Sequence, residues 1–103
     1  MSFEIVKGDE GRTYTGVVEN VNYSDCTAKI YVWNKARTVV VIDGHACTVA
    51  FVTPDTKVSY IPSAADFNVA AGIYYGMFIF IKAGVIEHTQ EFVWRVIDKE
   101  PTV

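Results

Sequence analysis

The chain has 103 residues, of which 50% are hydrophobic and 14% aromatic, and its net charge is −3 at pH 7. This length fits one domain, residues 1–103, and the hydrophobic content suffices for a core, which argues against disorder. The nine Lys and Arg residues are scattered along the chain. The basic surface that binding to nucleic acid requires is therefore not predicted.

Neither a signal peptide nor a membrane helix is predicted. The N-terminus has no apolar stretch after a basic start. The most apolar run, 73–81, is far shorter than the ~20 residues that cross a bilayer as a helix. We therefore expect a soluble protein that is made in a cytosol and does not bind membranes.

The alternation of apolar residues has a period of two along most of the chain, which is typical of β-strands. Asp43-Gly44 predicts a hairpin turn, because a type I′ turn needs positive φ at both central residues. A tight turn is predicted at Ala83-Gly84, and one helical turn or a bent loop at 63–68. The predicted strands are 3–7, 12–21, 26–33, 38–42, 45–52, 57–61, 72–82 and 85–97. Seven or eight short strands of this kind predict an all-β fold, an immunoglobulin-like antiparallel β-sandwich.

The predicted strand 72–82 is apolar on both faces, whereas a sandwich strand normally has one polar face. Asp66, Gly72 and Tyr74 are spaced as at the corner where an inward tyrosine of immunoglobulin-like domains bonds to upstream backbone. This orientation places Tyr74, Phe78 and Phe80 inward.

The opposite face of the same sheet is the predicted interface, because a contiguous apolar patch usually marks a docking surface. Its predicted residues are Tyr31, Trp33, Ile73, Tyr75, Met77, Ile79, Ile81 and Val93. The alternative is that a loop of the same chain, such as 54–66, covers this face.

No constellation of residues predicts catalysis, a metal or another cofactor. The serines lack a G-x-S-x-G setting, and no zinc or calcium motif is present. His45 is expected to be solvated, and Glu87 and His88 point to opposite sides of a strand. Cys26 and Cys47 are expected to be small buried hydrophobic residues without a disulfide bridge. Five aspartates are expected to be solvated turn residues: Asp9, Asp25, Asp43, Asp55 and Asp66.

A set of short features follows in order along nearly the whole chain: Gly8-Asp9 after the first strand, Ser24-Asp25 before strand 26–33, Val58-Ser59-Tyr60, Asp66-Phe67, Ala71-Gly72-Ile73-Tyr74, and a hairpin into Phe92-Val93-Trp94-Arg95-Val96. This order of features resembles the N-terminal domain of the phage baseplate upper protein family. In that family the domain usually opens a longer chain with a stalk, whereas this sequence stops at Val103, either as a stand-alone version or as a piece of a longer chain.

The resemblance implies an immunoglobulin-like structural protein of a phage or prophage tail that docks and oligomerises without catalysis. Its partners would be other phage structural proteins, further copies of itself, or both. It would be made in the bacterial cytoplasm and carried in the virion if phage-encoded. A second hypothesis from the residues is a carbohydrate- or cell-surface-binding module, with Tyr31, Trp33 and Tyr75 as a stacking platform.

Overall fold

The computed structural model describes residues 2–89 and 91–98, which form eight β-strands and no helix. The strands are β1 Ser2–Val6, β2 Tyr14–Val18, β3 Thr27–Asn34, β4 Val40–Val52, β5 Asp55–Tyr60, β6 Gly72–Lys82, β7 Val85–His88 and β8 Phe92–Ile97. The predicted all-β class is confirmed.

The strands lie side by side in the order β1-β8-β6-β3-β4-β5-β2, and β7 pairs with β6 on the same side as β8. β1 and β8 run parallel, and every other pair is antiparallel. The two ends of the sheet meet where Tyr14 Oη donates a hydrogen bond to the Glu4 carbonyl, 3.3 Å away. The sheet is thus nearly closed into a barrel.

The core lies inside this curved sheet and centres on the fully buried Trp94. Aromatic rings surround the indole, with centroid distances of 4.6 Å to Phe67, 4.7 Å to Phe3 and 5.0 Å to Tyr14. Gly76 lies directly beneath it, since a Cβ at that position would be 2.9 Å from the indole. The inward orientation predicted for Tyr74, Phe78 and Phe80 is confirmed.

The predicted hairpin turn at Asp43-Gly44 is wrong, because both residues lie inside the continuous strand β4. Gly44 does have a positive φ of 78°, but it is the extra residue of a β-bulge between the pairs Tyr31–Asp43 and Ile30–His45. A bulge and a turn both place glycine at positive φ, so the dipeptide alone does not distinguish them. The first half of β4 pairs with β3 and the second half with β5.

The segment 85–97, predicted as one strand, forms two strands, β7 and β8. The Ala83-Gly84 turn before it is confirmed, with a φ of 77° at Gly84. The ladder changes at Thr89, whose backbone N–H donates to the Phe78 carbonyl at 3.0 Å. The Thr89 hydroxyl accepts from the Phe78 N–H at 3.1 Å. A hydrogen bond to the Thr89 side chain therefore replaces one backbone bond of the ladder where the chain passes from β7 to β8.

The segment between β5 and β6 forms tight turns and then the predicted tyrosine corner. The Asp66 N–H donates to the Ser63 carbonyl at 3.1 Å. Tyr74 Oη donates to the Ala70 carbonyl at 2.6 Å, which confirms the predicted bond to upstream backbone. Asp66 is only 7% exposed, so its predicted solvation is wrong.

Cys26 and Cys47 are free thiols and half-buried against the core, so neither is bridged and neither is fully enclosed. Burial raises the pKa of the Cys47 thiol to about 12. Within residues 2–89 and 91–98, no helix is long and apolar enough to cross a membrane.

Candidate functional site

The candidate site is the outer face, defined as the outward side chains of β3, β6 and β8 with their immediate neighbours. All eight residues predicted from the sequence lie on it, because the register aligns them across the strands. Trp33 pairs with Tyr75 and Tyr31 with Met77. The central column comes from β6, with Ile73, Tyr75, Met77, Ile79 and Ile81 at alternate positions.

Each of the eight residues is half-buried, since flanking side chains on the sheet shield part of it. One apolar row crosses four strands, from Val40 on β4 through Trp33 and Tyr75 to Val93 on β8. Val40 is 48% exposed, and it was not among the residues predicted for this face. Its register depends on a second bulge in β4, at Val41, which alternation alone does not reveal.

Ile86 is the second residue that the sequence interpretation missed. It is 62% exposed and pairs with Ile81 across the β6–β7 hairpin. The predicted Ala83-Gly84 turn could have located it, because a two-residue turn fixes which residues face each other. Ile86 extends the outer face to the edge of the sheet.

The loop proposed as a cover, 54–66, lies elsewhere. Six of its residues form β5, which pairs with β2 and β4 on the other part of the sheet. The chain that follows is held toward the core, where Phe67 packs against Trp94. This segment therefore leaves the outer face uncovered.

The Arg37 side chain covers part of the outer face. Its guanidinium lies 4.5 Å from the centroid of the Tyr75 ring and forms an ion pair with Glu91. The turn between β3 and β4 holds Arg37 in place: its N–H donates to the Asn34 carbonyl at 2.9 Å. The Asn34 side-chain oxygen accepts from the Thr38 N–H at 2.8 Å.

The Tyr31 and Trp33 rings remain beside this covered tyrosine and are nearly parallel, with planes 19° apart and centroids 6.3 Å apart. Tyr31 lies across the bulge in β4, because a Cβ on Gly44 would be only 2.8 Å from its hydroxyl. Gly44 is therefore required both by its positive φ and by the position of Tyr31.

Polar groups border the apolar centre of the outer face. Ile79 pairs with Lys29 of β3 on one side and with His88 of β7 on the other. Arg95 lies 3.8 Å from the Glu4 carboxylate beside Ile73. An apolar centre with a charged border is the usual arrangement of protein–protein interfaces.

A second polar cluster lies away from the outer face, around the buried Asp66 carboxylate. Asp66 accepts hydrogen bonds from Tyr60 Oη and from the Ser63 N–H, the latter at 2.9 Å. His45 Nδ1 lies 3.2 Å from its other oxygen, so the predicted solvation of His45 holds only for part of the ring. The cluster ties the turn after β5 to β4.

The pKa of Asp66 reflects two opposed effects. Burial raises it, but the hydrogen bonds from Tyr60 and Ser63 and the nearby His45 imidazole outweigh burial, so the pKa lies below its ordinary value. These contacts hold the turn after β5 against β4.

No group of three or more His, Cys, Asp or Glu side chains within residues 2–89 and 91–98 is placed to hold a metal ion. No protein-family model matches the chain, and no curated protein matches it.

Proposed function

We propose that this protein is a non-catalytic structural protein of a phage or prophage tail baseplate that docks to another protein through its outer face. The observation that carries the proposal is the apolar row from Val40 to Val93 with the β6 column across it. Burial of one large apolar side chain is worth roughly 1.5–3 kcal/mol, so a partner that covers several of them gains substantial binding energy.

We further propose that the fold is an immunoglobulin-like sandwich. One half of the sheet holds β1, β8, β6, β3 and the start of β4, and the other holds β2, β5 and the end of β4. Immunoglobulin domains divide their strands in the same way, with a G-F-C sheet and a B-E-D sheet. The bond from Tyr74 to the Ala70 carbonyl occupies the place of the tyrosine corner and supports this assignment.

The occupant of the outer face is a protein surface with a matching apolar stripe, contributed by another structural protein of the same virion. Large aliphatic side chains and methionine fill most of the face, and these pack against protein better than against sugar. The charged border, with Lys29, Arg95 and Glu4, would fix the orientation of the partner, because rim charges contribute to specificity more than to affinity. The proposed protein is made in the bacterial cytoplasm and incorporated into virions.

A carbohydrate- or cell-surface-binding module is the second candidate. The nearly parallel Tyr31 and Trp33 rings favour it, since flat aromatic surfaces stack on sugars. Arg37 on the Tyr75 ring weighs against it, because that ring is then unavailable for stacking. A glycan array with reproducible binding that disappears in Trp33→Ala would select this candidate over the first.

The docking proposal is tested with Met77→Asp, which puts a carboxylate in the middle of the outer face. The control is Thr48→Asp, which puts the same charge on an exposed strand position outside it. Tagged variants are expressed in the source strain while it produces particles, and gold-labelled antibody against the tag is counted on tails by electron microscopy.

We expect the unmodified protein and Thr48→Asp to label tails, and Met77→Asp to lose at least tenfold in labelling while its thermal unfolding stays close to that of Thr48→Asp. Unlabelled tails with the unmodified protein would overturn the phage assignment. Equal labelling by Met77→Asp would overturn docking through the outer face.

A further inference from the structure

The edge of the sheet at β7 offers unpaired backbone groups. β7 pairs with β6 on one side, and no strand of residues 2–89 and 91–98 pairs with its other side. The pair Lys82–Val85 closes the two-residue turn, so hydrogen bonds alternate from there through Phe80–Glu87. The bond from the Thr89 N–H to the Phe78 carbonyl continues this alternation. The N–H and C=O groups of Ile86 and His88 therefore point away from β6.

This edge lacks most of the devices by which proteins block strand addition. Such edges usually carry lysine, proline or a bulge. β7 has none of them, and Val85 and Ile86 are both at least half exposed. The other two ends of the sheet differ, because Tyr14 joins β2 to β1. β7 is thus the edge best suited to pair with another strand.

We propose that β7 pairs antiparallel with β7 of a second copy of this chain, about a two-fold axis that brings the two Ile86 residues opposite each other. In this register, the outward N–H and C=O of each Ile86 bond to those of its symmetry mate. A contact of this kind is isologous, as in every two-fold dimer, the commonest symmetric oligomer.

Charge selects this register over its neighbour. Centring the two-fold axis on Glu87 would place two carboxylates directly opposite each other, about 4.5–5.5 Å apart between Cβ atoms, which is destabilising. Centring it on Ile86 places each Glu87 opposite Val85 of the other copy.

The pairing also extends the outer face across both copies. Ile86 lies on that face opposite Ile81, so the two-fold axis aligns Ile81 and Ile86 of one copy with the same residues of the other. Because β7 has only four residues, the contact is small, and contacts well below 1,200 Å² give weak, transient complexes. The expected dimer is therefore concentration-dependent. The inference stands on the β7 edge alone, so it and the docking role of the outer face can fail separately.

The first test compares self-association of the unmodified chain with Ile86→Pro and Ile86→Val. Proline removes the outward N–H of residue 86 but none of the bonds to β6, and edge strands tolerate it there. Valine keeps the N–H and the β-branched shape. Sedimentation between about 10 μM and 1 mM spans the range of weak dimers.

We expect the average mass of the unmodified chain and of Ile86→Val to rise from 11.5 kDa toward twice that value, and Ile86→Pro to stay monomeric with unchanged circular dichroism. A monomer throughout, or association of Ile86→Pro equal to that of the unmodified chain, would overturn the proposal. Loss of association in Met77→Asp but not in Ile86→Pro would instead assign self-association to the outer face.

The second test measures register by disulfide cross-linking of Ile86→Cys and Glu87→Cys, with the unmodified protein as the background for Cys26 and Cys47. We expect a covalent dimer of Ile86→Cys only, at least fivefold above the other two. In the proposed register the two residues 87 are diagonal to each other, beyond the ~7 Å between Cα atoms that a disulfide spans. Preferential cross-linking of Glu87→Cys would contradict the Ile86-centred axis.

Discussion

The two faces of β6 are built from different residues and serve different ends. The inner face carries Tyr74, Gly76, Phe78 and Phe80, all buried, and its glycine fits under the Trp94 indole with no room for a methyl group. The outer face carries aliphatic residues, tyrosine and methionine, all half-buried. The inner face is thus constrained by close packing and the outer face is not, so we expect neighbouring substitutions on one strand to separate stability from the proposed docking.

The largest expected contrast between the two faces comes from the adjacent substitutions Phe78→Ala and Ile79→Ala. Phe78→Ala empties part of the core and should cost about 3–5 kcal/mol of unfolding free energy. Ile79→Ala removes a half-buried side chain and should cost about 1 kcal/mol. Urea unfolding followed by tryptophan fluorescence measures both. Similar losses in the two variants would show that the faces are not distinct in packing.

A smaller effect is expected from adding one methyl group to the inner face with Gly76→Ala. The new Cβ would lie 2.9 Å from Phe92 and Trp94 side-chain atoms. Overpacking of this kind costs typically 1–3 kcal/mol. The check is a double-mutant cycle with Trp94→Phe, whose smaller ring makes room for the methyl. Additive free energies in the cycle would contradict the close contact between Gly76 and the indole.

A comparable effect at pH 7, which disappears at low pH, is expected at the Asp66 cluster, which lies away from both faces of β6. The folded pKa of Asp66 lies below its unfolded value. Its contribution is therefore fully present above the unfolded pKa of about 3.9 and is lost as pH falls through the folded pKa. Asp66→Asn should remove about 1–3 kcal/mol at pH 7, since a buried network loses its charged acceptor.

The acid prediction is checked by urea unfolding of the unmodified chain and of Asp66→Asn between pH 7 and pH 2. The unfolding free energies of the two proteins should converge at low pH, because the variant should lose less unfolding free energy as the pH falls. Asp25→Asn is the matched control, because Asp25 pairs with Lys82 at the surface, with both side chains more than half exposed, where salt screens the pair. A constant gap between Asp66→Asn and the unmodified chain at all pH values would contradict the role of the Asp66 charge.

The sequence could predict the elements whose signal is local and repeated. Alternation divided β6 into two faces, and the spacing of Tyr74 after Asp66 identified the inward face and its corner. Alternation also placed the eight predicted residues on one face of the sheet, because the register of each strand follows from which of its sides is apolar. Whether that face docks a protein stays a prediction.

The errors came from features that depend on distant partners. Asp43-Gly44 has the residues of a turn, but β4 continues because β3 and β5 both pair with it. Residues 85–97 alternate throughout, yet the bonds between Thr89 and Phe78 interrupt the ladder. Asp66 lies in a turn, as predicted, but Tyr60 and His45 reach it from two other strands and bury it. Residue type in one segment does not encode such contacts.

The parallel pairing of β1 with β8 determines how the domain responds to tension. Ser2 pairs with Val93 and Val6 with Ile97, so the chain enters this pair at one end and leaves it at the other. A force that pulls residues 2 and 97 apart therefore slides the two strands past each other, and it loads all five residue pairs together. Hairpin strands pulled from their open end would release their bonds one at a time. The β1–β8 pair is thus loaded in shear by such a pull, and its bonds must break together.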